Sequence, residues 1–365
     1  MGLKCGIIGL TNIGKTTLFN CISNTKAEIT SFAFSSNKSN IGMVNVPDLR
    51  LYELEKFQKT EKIIPTNVEL VDIPGLAKGA SKGEGVGNTF LSDIRNTDAL
   101  IHVVRCFDDE NLPHIEGSID PVRDKEIVDF ELQVRDLESI EKKIEKLAKQ
   151  AKTGDKTARE GVNSLNKYKE HLENFQPVRT ADVTEAEAKF IEDLSLLSAK
   201  PVLYICNVDE GSAVQGNQYV EAMKEVLKAE GSELLVIAAG MEADIAELEE
   251  EADRNEFLEE MGLLEPGVDK LIRSAYKLLN LKTFFTVGPK EIRAWTISEG
   301  MTAPQAAGVI HSDLERGFIR AEVMHYNDFV SLGSEQACKD KGKLHIEGKA
   351  YVVEDGDILH IRFNV

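Results

Sequence analysis

The chain has 365 residues, 42% hydrophobic and 29% charged, with a formal net charge of −19. These values suit a folded protein with room for two or three cores and exclude a disordered chain. So acidic a chain is unsuited to broad adhesion to nucleic acid, and no apolar run approaches the ~18 residues that span a bilayer.

The opening stretch, MGLKCGIIGL, reaches its glycines too soon for a secretory leader and reads as the first strand. Five cysteines (Cys5, Cys21, Cys106, Cys206 and Cys338) lack a C-x-x-C pair or a disulfide-like spacing. Cys5, Cys106 and Cys206 fall in apolar runs, as small buried hydrophobes do. A cytoplasmic protein with no membrane partner is expected.

Directly after the first strand comes Gly9-x4-Gly14-Lys15-Thr16, and a helical run follows it. Strand, spacing and helix together are the context of a phosphate-binding loop. The glycines let successive N–H groups turn toward a β-phosphate, and the helix adds the positive end of its dipole. Lys15 supplies charge to the β- and γ-phosphates, and Thr16 offers a hydroxyl to Mg²⁺. Asn12, Ile13 and Thr17 complete the expected contact surface.

The segment SFAFSSNKSNIG is the natural first switch, with Ser36, or its neighbour Ser35, as a second hydroxyl for the metal. VELVDIPG then delivers Asp72 as a metal-holding carboxylate and Gly75 as a backbone donor to the γ-phosphate. Gly79, Gly83, Gly85 and Gly87 suggest a mobile loop that responds to that phosphate. At position 76, where Ras-like enzymes orient water with Gln, the chain has Leu76. Hydrolysis must then borrow a polar group or be slow. His114, after the third strand-like run, is the histidine placed near the strand ends, with a pKa range suited to steering water; an exposed histidine without a catalytic part is the alternative.

From Asp129 to Lys200 the pattern becomes helical. Phe130, Val134, Leu137, Ile140, Ile144, Leu147 and Ala151 recur at steps of three and four, which predicts an apolar stripe of coiled-coil type. After KTGDKT, Val162, Leu165, Tyr168, Leu172 and Phe175 predict a returning helix and hence a hairpin, suited also to serve as a partner-binding arm.

The next strand ends in Asn207, Val208, Asp209 and Glu210 where a guanine site would read N-K-x-D. Val208 removes the lysine stem, and Glu210, one methylene longer than Asp, would crowd the guanine edge. Adenine presents an N6 donor and an N1 acceptor, which Asn207 and the 208–209 backbone can meet while Val208 packs on the ring. ATP is favoured over GTP, since a site built for one hydrogen-bond pattern leaves the other unpaired. A GTPase switch with relaxed base specificity is the alternative, and a module that binds nucleotide without hydrolysing it is a third.

After the fifth apolar run, an acidic stretch places Ile245, Leu248, Ala252, Phe257, Leu258 and Met261 on one helical side. From Leu281 onward short alternating segments and one helical piece predict a mixed α+β module. It is nearly neutral, with ten Lys/Arg against twelve Asp/Glu, so a phosphate-rich partner would meet the chain there.

GLTNIGKTT, DIPGLAKGASKGEGVGNTFL, IRNTDALIHVVRCF, NVDE and the stretch from RAWTISEG to ILHIRFNV together make the chain resemble the Obg-like ATPases, the YchF branch of the translation-factor-related P-loop NTPases. The resemblance covers nearly the whole chain. It implies an α/β doubly wound, mostly parallel sheet with a helical coiled-coil insertion and a C-terminal TGS domain of β-grasp type. The domains expected are residues 1–128 and 201–280 for the NTPase, 129–200 for the hairpin and 281–365 for the TGS domain. The implied activity is hydrolysis of ATP to ADP at or near the ribosome or a translation factor; with the metal-holding residues above, a Mg²⁺-dependent enzyme is expected, and a monomer. The family's N-x-x-E loop falls on Asn207 to Glu210, its phosphate loop on Asn12 to Thr17 and its mobile-loop histidine on His114. The first switch departs from the family's pattern, since Ser36 replaces Thr and two prolines and an Ile are lost, so a looser loop is expected.

Overall fold

The computed structural model describes residues 3–23, 39–76 and 86–364. They form two compact units, one of residues 1–42 and 69–271, the other of residues 43–68 and 272–365.

The first unit is built on a six-stranded sheet. Its elements begin with β1 (Lys4–Ile8), α1 (Lys15–Ile22) and β2 (Asn40–Asn45). After α2 (Leu49–Phe57) and β3 (Ile63–Ile64), which belong to the second unit, come β4 (Asn67–Asp72), α3 (Val86–Arg95) and β5 (Ala99–Arg105). Two long helices follow, α4 (Pro121–Lys152) and α5 (Lys156–Glu173), then the short α6 (Glu185–Ala188). The unit closes with β6 (Val202–Asn207), α7 (Gln218–Glu230), β7 (Glu233–Ile237), α8 (Ala239–Glu247), α9 (Glu251–Glu260) and the start of α10 (Gly267–Leu278), whose remainder lies in the second unit.

The strands lie in the order β2-β4-β1-β5-β6-β7, and β1 pairs in parallel with both β4 and β5. Every residue of β5 and β6 is buried, as a continuous apolar run requires when both faces of a sheet are covered. The continuous apolar runs CGIIGL, VELVDIPG, ALIHVVRCF, PVLYICN and ELLVIAA form β1, β4, β5, β6 and β7. The added edge strand, β2, alternates exposed and buried residues, a weaker sequence signal. β1 lies between strands reached by opposite turns of the chain, the position where open α/β sheets bind ligands.

The helical hairpin starts at Pro121, ahead of the boundary expected at 129, because Asp120 caps it by accepting from the Arg123 N–H at 3.1 Å. Leu137, Ile140, Ile144 and Leu147 meet Leu165, Tyr168 and Leu172 as the periodicity predicts. Val178, Phe190 and Leu196, from the segment that returns toward β6, add a further layer. The buried Asp136 carboxylate fastens that segment, accepting from the N–H groups of Leu197 and Ser198, each at 2.7 Å. Phe130 and Phe175 depart from the expected stripe: both rings remain exposed. The acidic stretch also forms two helices rather than one, broken between α8 and α9.

The second unit comprises α2, β3 and the C-terminal part of the chain: β8 (Leu281–Val287), β9 (Ile292–Ser298), α11 (Ala303–Ile310), α12 (Ser312–Arg316), β10 (Phe318–His325), α13 (Tyr326–Leu332), α14 (Glu335–Asp340), β11 (His345–Glu347) and β12 (Asp357–Phe363). Its sheet has the order β11-β10-β12-β8-β9-β3, with β12 and β8 parallel at the centre. One face packs Phe284, Ile297, Phe318 and Val323 against Ala303 and Ala306 of α11. The other packs Phe285, Ile292 and Ile358 against Leu51 and Leu54 of α2 and Phe329 of α13. Residues 43–68, expected within the NTPase domain, thus lie in this unit. A two-residue strand beside β9 and a nine-residue helix are too short to declare their partner from sequence.

Candidate nucleotide site

The phosphate loop joins β1 to α1. Asn12 has φ +59° and Gly14 has φ +93°, left-handed conformations that Asn and Gly adopt at least cost. Gly14 is also required for space, since a Cβ there would lie 2.3 Å from Nδ2 of Asn207. Helix α1 begins at Lys15 without a side-chain cap. Its first N–H groups and its dipole therefore face outward, where an anion can accept.

The Lys15 side chain is buried and its ammonium donates to the Leu10 carbonyl. Burial pushes its pKa down to about 8, with Asp72 acting in the opposite direction. Thr16 Oγ1 donates to Asp72 Oδ2 at 2.9 Å, bringing together two of the expected metal-holding groups. Burial raises the Asp72 pKa above the usual carboxylate range, opposed by Lys15 and by hydrogen bonds from Thr16 and Asn40. A desolvated carboxylate beside a hydroxyl is a donor set that suits Mg²⁺. Ser36, with Ser35, Gly79, Gly83 and Gly85, lies outside the described residues.

Gly75 packs on the phosphate loop so closely that a Cβ would come within 2.6 Å of the Thr11 side chain. The next residue, Leu76, donates its N–H to the Gly9 carbonyl at 3.1 Å, and its side chain is 1% exposed. The position that would orient water is therefore both apolar and turned into the core.

At the base loop, Asn207 uses both ends of its amide on the scaffold. Nδ2 donates to the Ile13 carbonyl at 2.9 Å, and Oδ1 accepts from the Ala239 N–H at 3.0 Å. It ties the phosphate loop to the start of α8, where Ala238 has no capping side chain. Asn207 thus positions the pocket, and its Nδ2 keeps a second hydrogen for the expected base contact. Val208 is buried, with its N–H donated to the Ile237 carbonyl at 2.9 Å. Asp209 closes its own turn, accepting from the Ser212 N–H at 3.0 Å and from its hydroxyl at 3.2 Å. The Glu210 side chain is exposed.

His114 also differs from expectation. Its Nδ1 accepts from the Glu116 N–H at 3.2 Å, and Nε2 lies 2.8 Å from Asp124 Oδ2, at contact distance but out of line for a straight hydrogen bond. Both side chains are 2% exposed. The histidine is turned inward in this conformation, not presented at the strand ends.

Sequence reasoning missed three positioning residues. Asn40, at the start of β2, hydrogen-bonds Asp72. Arg105 is fully buried and donates to the carbonyls of Phe107 at 3.1 Å, Leu112 at 2.7 Å and Asp109 at 3.3 Å, so it shapes the loop that carries His114. Asn217 Nδ2 donates to the Cys106 carbonyl at 2.7 Å and joins that loop to the base loop. An arginine closing an otherwise apolar strand was the available signal for Arg105.

Known proteins match the chain throughout. The family described as "50S ribosome-binding GTPase" matches residues 4–157, and the YchF-GTPase C-terminal family, described as a protein of unknown function, matches residues 281–364. Proteins named "Ribosome-binding ATPase YchF" from Escherichia coli O157:H7 and Bacillus subtilis (strain 168) are each 47% identical, with full coverage of both chains. The structure of the Schizosaccharomyces pombe YchF GTPase superposes with a TM-score of 0.87 at 36% identity, covering 99% of this chain and 98% of that one.

Proposed function

The chain belongs to the YchF family, and on that footing we propose that it is a Mg²⁺-dependent ATPase whose nucleotide state governs binding to the ribosome or a translation factor. The relatives' names differ on the nucleotide, ATPase for the bacterial proteins and GTPase for the yeast structure. The choice rests on this chain's own base loop. Asp209 is committed to its turn, so the loop lacks a correctly placed Asp to accept the guanine N1–H and N2 amino donors, and Glu210 is too long to replace it.

A triphosphate entering the loop would draw the Lys15 ammonium from the Leu10 carbonyl to the phosphate oxygens. Thr16 and Asp72, with Ser36 from the first switch, would hold Mg²⁺, which would supply charge neutralisation at the phosphates. Gly75 would add a backbone donor. Leu76 gives no help to an attacking water, so turnover is slow unless a partner supplies a group or His114 leaves Asp124 and swings toward the phosphate. The C-terminal unit would act as a TGS-type module contacting the partner, and the protein would be a cytoplasmic monomer.

A competition titration of ADP, ATP, GDP and GTP against one fluorescent analogue tests the base assignment. Adenine nucleotides should bind at least about tenfold more tightly; GDP binding as well as ADP would leave the GTPase alternative in its place. Cosedimentation with ribosomes in ATP and in ADP tests the partner, and equal binding in both would remove nucleotide control.

A further inference from the structure

Phe130 and Phe175 belong to the hairpin's predicted apolar stripes, yet they are 46% and 69% exposed. Their ring centroids are 6.2 Å apart with planes tilted by 32°, so they form one aromatic surface. Phe175 follows the C-cap of α5 with φ +57°, where Gly or Asn is usual and a Cβ costs roughly 1 kcal/mol. Folding here places an apolar ring in water through a strained backbone. Such an outlier calls for a use outside stability.

The rings border a cavity of about 620 Å³ between the first turns of α4, the segment after α5 and the end of α7. Glu230 sits at the end of α7, just before β7 starts, so the cavity lies toward the strand ends opposite the nucleotide loops. Its wall carries three carboxylates, Glu126, Asp129 and Glu230, and one cation, Lys125. Lys125 Nζ is 2.7 Å from Asp129 and 2.5 Å from Glu230. Arg179 approaches the same two carboxylates from behind, at 3.8 and 3.5 Å. Those four charges balance. Glu126 is exposed at the mouth without an ion pair among the described residues. Gln133, 5% exposed, donates to the Phe175 carbonyl at 3.5 Å and helps hold the strained residue.

Aromatic faces and an uncompensated carboxylate both select a cation. A planar guanidinium stacks on rings and forks onto a carboxylate, which a hydrated ammonium does less well. The volume exceeds one guanidinium and admits flanking backbone. We propose that this pocket binds an arginine side chain presented by a basic segment of a partner protein. The site is independent of the nucleotide reading, and its failure would leave that reading untouched.

The test is an NMR titration of the full chain, carrying ¹³C-labelled phenylalanine, with the blocked peptide Gly-Ser-Gly-Arg-Gly-Ser-Gly and its citrulline and lysine counterparts in ~150 mM salt. The Phe130 and Phe175 ring signals should shift, with the arginine peptide binding at least about fivefold more tightly than the other two. Phe175→Gly and Glu126→Lys should each weaken binding at least about fivefold. Phe175→Gly should also keep or raise the melting temperature, because it relieves strain, whereas a structural ring would lower it. Equal affinity for the citrulline peptide, spermidine binding as tightly as the arginine peptide, or wild-type binding by Phe175→Gly would each overturn the proposal.

Discussion

At the nucleotide loops Asn207 spends both ends of its amide on backbone partners and Asp209 closes its own turn, whereas at the base of the hairpin Phe130 and Phe175 hold apolar rings in solvent. The first region uses polar residues to build a scaffold. The second spends folding energy on a surface. Asn207, which motif reasoning took for a reader of the base, also supports the loop backbone, and Phe130 and Phe175, which periodicity took for core, lie at the surface. In both regions side-chain chemistry agreed with more than one use, and the backbone around it selected which.

The largest expected effect separates the phosphate machinery from everything else. Lys15→Ala should lower single-turnover phosphate release about a thousandfold, or roughly 4 kcal/mol of transition-state stabilisation; unchanged release would remove the loop from catalysis. Asn207→Ala should then test whether that residue is scaffold. It leaves the Ile13 carbonyl and Ala239 N–H unpaired, and urea unfolding should show a loss of about 2–4 kcal/mol. A loss of nucleotide affinity with no loss of stability would leave Asn207 as a base contact only.

Leu165→Ala probes the hairpin in the same terms. Its buried side chain should cost about 2–4 kcal/mol and leave nucleotide affinity unchanged; a parallel fall in affinity would show that the two regions are coupled. Val208→Lys combined with Glu210→Asp restores a guanine-type loop and should shift preference toward GDP about tenfold, near 1.4 kcal/mol. No shift would place base selection outside this loop.

The smallest effect concerns a residue beneath both regions. His102 is fully buried and its pKa is pushed down to about 3, first by burial, with Asp129 raising it and Lys125, Arg179 and Lys15 lowering it further. The folded chain keeps the imidazole neutral while the unfolded chain protonates near pH 6.5, so stability falls as pH drops through that range. Between pH 6.5 and 5.5 the loss should be about 1 kcal/mol in urea unfolding and should vanish in His102→Gln.

The phosphate loop was legible because its constraint is local: glycine at Gly14 and a helix starting at Lys15 follow from backbone geometry within a few residues. The parallel strands were legible from buried apolar runs, and the pairing of Leu137, Ile140 and Ile144 with the returning helix from its period. The inward turn of His114 was not legible, because it depends on Asp124 and on the carbonyls that Arg105 gathers from its loop. Nor was the assignment of residues 43–68 to the C-terminal unit, which rests on short β3 beside β9 and on Leu51 and Leu54 beneath a distant sheet.

By itself the sequence determined the turn between β1 and α1 and which face of each long helix is apolar, since both are properties of consecutive residues. The tertiary structure alone decided which polar groups remain free for a ligand and which apolar rings remain in water. Those outcomes depend on partners far apart in the chain, whose proximity only the folded backbone creates.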